Sequence, residues 1–388
     1  MTYSYRTPEK KVTVTVTDGH DGALKLAWGI NKPGGLGTYL VSKQEVLSDA
    51  EKVRTELGNF VIAKMSSQNV SSALRQVARG GHFLYNSLFR ALEVGGQSEA
   101  ERVQRWLAQR DLPILLNINV DTYTRIPWGL VYEADPEQIA NDANTKDFAN
   151  YPGFWCLKYL ISCLHHRVRD INERRAKFHI FSVVHRKEYD KVHGSLNLQQ
   201  QGSIADLLKE FGGEIDNKQD LYKKWVDAGG VDRILMFYCH ANGAALGLGK
   251  DSVSPEDFGR YLSIESRYPD AITLTFLNGC ATAIGAADRG YLEATGQRGF
   301  VGFVGTEAKI PNLYALRFGA EFLRCFLEAG WPLVNVMDAM WRLHWPLSLV
   351  YSLNGYADLQ LKRADVAKEW PPTKLKNFSD DDIGISAI

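Results

Sequence analysis

Residues 233–243 read RILMFYCHANG, and residues 272–283 read ITLTFLNGCATA. Each opens with six residues of nearly continuous apolar character. Each then stops at a reactive side chain, His240 or Cys280, set among small residues. An unbroken apolar run of that length, rich in Ile, Leu and Phe, is the pattern of a strand buried on both faces, as in a parallel sheet. Two further runs share it, FHIFSVV at 178–184 and FVGFV at 300–304. Between and after these runs, residues 203–211, 219–228, 254–263 and 312–329 carry helical spacing. Alternating buried strands and helices predict an α/β domain, a mainly parallel sheet flanked by helices on both faces. In such sheets, ligands and catalytic groups gather at the carboxyl ends of the strands.

Upstream the rhythm differs. VTVTVT at 12–17 and LKLAW at 24–28 alternate with period two around the turn cluster DGHDG at 18–22, a hairpin signal. After Gly34, Gly35 and Gly37 a strand is expected at 38–41, so residues 1–60 read as an N-terminal β-rich extension. Apolar positions recur at helical spacing through 71–107, a buried strand is expected at 114–120, and IPWGLVYE at 126–133 reads as another strand. Residues 134–152 read as an exposed loop and 155–168 as a helix. This places an N-terminal extension at 1–60, a helical and strand region at 61–170, the α/β core at 171–362 and a tail at 363–388. The tail is marked by Pro371-Pro372 and Asp380-Asp381-Asp382.

Bulk properties narrow the function. At 388 residues the chain exceeds what a single core usually supports. Forty-five basic residues balance forty-five acidic ones, and the most basic segment, around Arg167, Arg169, Arg174, Arg175 and Lys177, is interrupted by Asp170 and Glu173. Direct nucleic-acid binding is therefore not signalled. No apolar core of a signal peptide occupies residues 1–11 and no run is long enough to span a bilayer, so a cytoplasmic protein without membrane attachment is expected. Five cysteines, odd in number and without CxxC spacing, suggest neither a disulfide framework nor a zinc site. No metal or other cofactor is expected.

If the strands at 233–238 and 272–277 are parallel neighbours, His240 and Cys280 face one crevice. An imidazole there takes the thiol proton and the thiolate attacks a carbonyl. A helix expected over 283–292 would favour the thiolate through its N-terminal dipole. Against this, a lone cysteine in an apolar stretch is more often a buried small hydrophobe, and a histidine at a strand end more often structural.

The same stretches resemble the CHAT domain, a branch of the caspase-like (clan CD) cysteine peptidases that includes separase. Its strand ending in His is similar to ILMFYCHANG, and its strand ending in Cys to LTFLNGCATA. A Gly-rich strand follows in GFVGFVGTEA, then a helix ending in an aromatic and Gly in FLRCFLEAGWP, then a closing segment in NGYADLQL. Upstream, IPWGLVYE resembles the family's Pro-Trp-Glu segment. The match spans roughly residues 70–362. It departs from the pattern at Ala241, where the family has Gly, at Gly129 for Glu, and at Ala357-Asp358 for Gly-Asp.

The resemblance implies a caspase-like fold with His240 as general base and Cys280 as nucleophile. The backbone N–H groups of Ala241 and Cys280 become oxyanion donors. It implies a cysteine endopeptidase acting on a protein substrate, held in check by a regulatory protein partner, in bacterial defence or programmed death. The partner is expected to engage residues 1–60. Two rivals stand beside it: a catalytically silent interaction module of the same fold, and a cysteine acyl hydrolase acting on a small molecule.

Other candidates are weaker. Glu307, just past a late strand end, could read a Lys or Arg before the scissile bond, though a solvated loop glutamate is the plainer reading. Gly247-Leu248-Gly249-Lys250 lacks the rest of a phosphate-binding loop. His165 and His166 near Cys163 are read on a helix, where adjacent side chains diverge. Cys239 should face the core, and Trp331, Trp341 and Trp345 read as core or groove lining.

Overall fold

The alternating valines at 12–16 become strand β1 (Lys10–Asp18) of a computed structural model, with Val12, Val14 and Val16 fully buried. The structure describes residues 3–30, 34–109, 113–140, 143–165, 174–185, 187, 189–190, 214–241, 245–248, 250–262, 268–283, 290–295, 300–362 and 369–370. Contacts divide the chain into two units. One comprises Tyr5–Arg167 and Met337–Ser352, the other Met1–Ser4, Val168–Val336 and Leu353–Ile388.

In the first unit, β1 pairs antiparallel with β2 (Ala23–Ile30), which pairs with β3 (Gly37–Ser42). Asp21 and Gly22 take positive φ in the tight connection, a conformation that Asp and Gly tolerate better than most residues. The β-rich N-terminal stretch does not close on itself. β1 also pairs in parallel with β4 (Ile114–Asp121), which pairs in parallel with β5 (Leu160–His165). The order is β3-β2-β1-β4-β5, which puts β1 at the centre.

Three long helices follow β3: α1 (Lys43–Ser66), α2 (Val70–Phe89) and α3 (Val94–Ala108). The first lies partly inside the stretch read as β-rich. Its signal was there to be seen: Ser42 caps it by accepting the Glu45 N–H at 3.2 Å, and Val46, Ala50, Val53, Leu57 and Phe60 bury one face.

The helix read over 155–168 is a single turn, α4 (Trp155–Lys158), followed by β5. A strand packed on both sides carries apolar residues at every position and so mimics a helix in periodicity. The IPWGLVYE stretch is not a strand either. Trp128–Leu130 forms a 3-10 turn, and only Tyr132 bridges to Phe154. Trp128 stacks on Trp155 at 6.1 Å, and the Glu133 carboxylate accepts from Trp155 Nε1 (3.1 Å), Tyr159 OH (3.0 Å) and the Lys158 ammonium.

The second unit is built on a six-stranded sheet. Its strands are β6 (His179–Val184), β7 (Glu214–Ile215), β8 (Arg233–Tyr238), β12 (Thr273–Asn278), β13 (Phe300–Thr306) and β14 (Tyr351–Gly355), ordered β14-β13-β12-β8-β6-β7. β8 lies parallel to both β6 and β12, and β12 parallel to β13. A small antiparallel sheet, β9 (His240–Ala241), β10 (Leu246–Leu248) and β11 (Asp251–Val253), rises from the end of β8. Gly247-Leu248 thus belongs to a paired strand, not to a phosphate-binding loop.

Both faces of the large sheet are covered. Leu235, Phe237, Phe181, Val183 and Leu277 form one core with Trp225 of α5 (Lys218–Asp227), Phe258 of α6 (Pro255–Tyr261) and Tyr291 of α7 (Tyr291–Thr295). On the other face, Phe276 packs against Phe318 and Phe322 of α8 (Asn312–Leu327), the latter ring at 4.9 Å. Gly319 lets α8 sit close, since a Cβ there would stand 2.7 Å from Met236 Cε. A last helix, α9 (Leu333–Leu343), runs from this unit's segment into residues 337–352 of the first, and Trp331, Trp341 and Trp345 are all buried. The sequence expectation of a mainly parallel sheet between helices therefore describes this unit. The helix expected at 203–211 and the tail from 371 onward lie outside the described residues. So does most of the basic segment, of which Arg174–Arg175 form a two-residue strand paired with Gln360–Leu361.

Candidate active site

Tyr238 and Asn278 are register partners at the ends of β8 and β12, and His240 and Cys280 stand two residues beyond them. The parallel pairing thus delivers both residues to one carboxyl edge. Gly279 permits the two strand ends to approach closely: a Cβ there would lie 2.9 Å from Ala241 Cβ and 3.0 Å from the Cys239 carbonyl. The backbone carrying Cys280 therefore rests on the residues either side of His240. Both strand ends are tied to the first turn of α8, Tyr238 donating its hydroxyl to the Asn312 carbonyl at 3.2 Å and Asn278 its amide to the Ala315 carbonyl.

Beyond Cys280 the chain turns sharply. Ala281 has φ 56°, a left-handed conformation rare for alanine and costly unless its surroundings hold it. They do: its N–H donates to the Ala308 carbonyl (3.2 Å), the Thr282 N–H to Thr306 Oγ1 (3.3 Å) and the Ala283 N–H to the Thr306 carbonyl (3.0 Å). Among the described residues the Cys280 N–H meets no acceptor.

The Cys280 thiol is partly buried, with Sγ 4.0 Å from the Ile310 carbonyl. Burial raises its pKa above the ordinary thiol value, and the Ile310 backbone and the Lys309 ammonium pull weakly the other way. Of the helix expected over 283–292, only its two ends are described. Ala283 belongs to the turn, residues 284–289 lie outside those described, and α7 starts at Tyr291.

Sequence reasoning missed His185. It follows directly on β6, the neighbour of β8 on the side away from β12, and its N–H donates to the Tyr238 carbonyl at 2.8 Å. Its buried ring meets that of His240 edge to face, with centroids 5.5 Å apart. The rule that singled out His240 and Cys280, a reactive side chain just past an apolar run, picks out FHIFSVVH equally well.

The remaining candidates separate. Glu307 is buried, immediately past β13 and adjacent to the Ala308 carbonyl that anchors Ala281, which removes the solvated-loop reading. Cys239 packs into the core on the α5–α6 face, where burial raises its thiol far above the reactive range. Cys163 and His165 lie on β5, not on a helix, and no group of three metal-binding side chains occurs among the described residues. No helix among them is long and apolar enough to cross a membrane.

No family model matches the sequence, and no curated protein matches it either. Solved structures with a similar fold include the Arg-specific cysteine proteinase gingipain R, at 12% identity and a TM-score of 0.43 over 69% of each chain. The complex of Porphyromonas gingivalis RgpB pro- and mature domains gives 13% and 0.41, over 67% of this chain and 69% of that one. The Saccharomyces cerevisiae separase–securin complex gives 10% and 0.47, over 91% of this chain and 30% of that one. Each is a likeness of fold alone.

Proposed function

We propose that this protein is a cysteine peptidase of the CHAT, caspase-like type, with Cys280 as nucleophile and His240 as base. One observation carries the reading. Two residues of complementary chemistry stand at equal offsets beyond a register pair, on adjacent parallel strands, where such sheets place their ligands.

The chemistry follows from the parts. His240 accepts the Sγ proton and the thiolate adds to the scissile carbonyl carbon. The carbonyl electron pair moves onto oxygen, where the Cys280 N–H, with that of Ala241, stabilises the charge. As the tetrahedral species collapses, the imidazolium gives its proton to the departing amine, leaving a thioester on Cys280. Water, deprotonated by His240, then hydrolyses the thioester and frees the thiol. His185 restrains the ring of His240 from behind. The contact is edge to face, with ring centroids 5.5 Å apart.

Glu307 would select a cationic residue before the scissile bond. The substrate is a protein and a regulatory protein partner controls access, in a prokaryotic defence or cell-death pathway.

The test is labelling by peptidyl electrophiles that differ in the residue at the cleavage position, with intact mass to locate the adduct. Modification of Cys280 in the wild type, lost in His240→Ala and Cys280→Ala, supports the peptidase. Reaction with small acyl electrophiles but with no peptide, even beside a candidate activator, would favour a small-molecule acyl hydrolase. Reaction with neither would leave a silent interaction module.

A further inference from the structure

Thr282 and Thr306 are wholly buried and bind one another reciprocally. The Thr282 N–H donates to Thr306 Oγ1 at 3.3 Å, and the Thr306 N–H donates to Thr282 Oγ1 at 3.0 Å. Each hydroxyl then spends its single proton on a carbonyl next to the nucleophile's strand. Thr282 donates to the Leu277 carbonyl at 2.9 Å and Thr306 to the Gly279 carbonyl at 2.5 Å. A hydroxyl has one donor and two acceptor sites, so these bonds are mutually consistent and leave neither hydroxyl proton idle. The 3.4 Å between the two hydroxyl oxygens is then proximity, not a fifth bond.

The two carbonyls so held flank Asn278, and the second belongs to the residue just before Cys280. On the far side of Cys280, Ala281 is kept in its left-handed conformation by the same strand end. Sheet pairing does not reach Gly279 or Cys280, because β12 ends at Asn278.

We propose that Thr282 and Thr306 form a clasp that positions Cys280, fixing the direction of its thiol and the orientation of its backbone N–H. Both are positioning residues: neither need touch substrate. The proposal rests on the peptidase reading for its meaning, while its geometry can be tested without it.

The experiment compares full-length wild type with Thr306→Ser, which keeps the hydroxyl, and Thr306→Val, which keeps the shape and removes it. Thr282→Ser and Thr282→Val form a second pair should the first valine variant fail to fold. Iodoacetamide rates at each cysteine are read by peptide mass spectrometry, with buried Cys156, Cys163, Cys239 and Cys325 as internal reporters of general opening. Rates with the preferred peptidyl electrophile are read in parallel. With the clasp cut, iodoacetamide should reach Cys280 about fivefold faster or more, with the other cysteines still protected, while the peptidyl electrophile slows by about tenfold or more. The serine variants should stay within about twofold of wild type in both assays.

The clasp is overturned if Cys280 in a folded valine variant reacts with iodoacetamide as in the wild type, or if serine variants fail as fully as valine variants. It is equally overturned if all five cysteines open together. Failure of the peptidase reading looks different. Wild type then ignores every peptidyl electrophile, and the iodoacetamide comparison decides the clasp alone.

Discussion

Gly279 leaves no room for a methyl group against Ala241: the added Cβ would stand 2.9 Å from Ala241 Cβ, with the Cys239 carbonyl at 3.0 Å on its other side. One neighbour is a backbone carbonyl and the other a Cβ fixed to its own backbone, so neither can simply swing away. Gly279→Ala should push the Cys280 turn off the His240 strand. A displacement of an ångström at a reacting pair costs about a hundredfold in rate. Peptidyl-electrophile labelling of Cys280 should therefore fall by about that factor, with circular dichroism unchanged. Labelling at the wild-type rate would show that the two strand ends do not need their close contact.

The thiol itself titrates in a stated direction. Burial raises the Cys280 pKa, so at neutral pH the resting residue is a thiol and its thiolate fraction grows about tenfold per pH unit. Iodoacetamide alkylation of the resting protein should climb at that slope between about pH 6 and 8, without levelling below the ordinary thiol range. A plateau near neutrality would mean a standing thiolate–imidazolium pair and would contradict the raised value.

Glu307 is buried immediately past β13. Under the proposed role, Glu307→Gln should lower labelling by an Arg-bearing electrophile about tenfold while sparing a Leu-bearing one. Equal effects on both would assign Glu307 to the scaffold.

Stability of the first unit depends on a buried ionic cluster. Asp338 accepts from Arg6 Nε at 2.8 Å and again from the Arg6 terminal nitrogen, and from Arg342 Nε at 3.2 Å. Asp338→Ala removes the carboxylate that two largely enclosed guanidiniums share, and removing one partner from a buried ion group costs about 3–5 kcal/mol. Urea unfolding should show that loss. Replacing all three with apolar residues should recover much of it, and failure to recover would assign the loss to packing.

The second unit was the more legible from sequence, for a physical reason. RILMFY and ITLTFL are short, mostly apolar runs bounded by turn residues, the pattern of strands buried on both faces, and each is followed within three residues by a reactive side chain. LISCLH at 160–165 has the same physics, but it lacks a turn signal between it and Trp155, so its period reads as helical. IPWGLVYE failed differently, its apolar residues serving to stack Trp128 on Trp155. The clasp was not legible at all. A threonine in an apolar strand looks like any β-branched residue until its hydroxyl finds a partner twenty-four positions away.

The central place of β1 also constrains the chain as it is made. One edge of β1 is satisfied early by the hairpin with β2, while the other must wait for Ile114–Asp121 to leave the ribosome. Until then β1 presents a row of unpaired backbone N–H and C=O groups to whatever strand comes near. Slowing translation ahead of β4 should therefore lengthen the period in which this protein needs a chaperone.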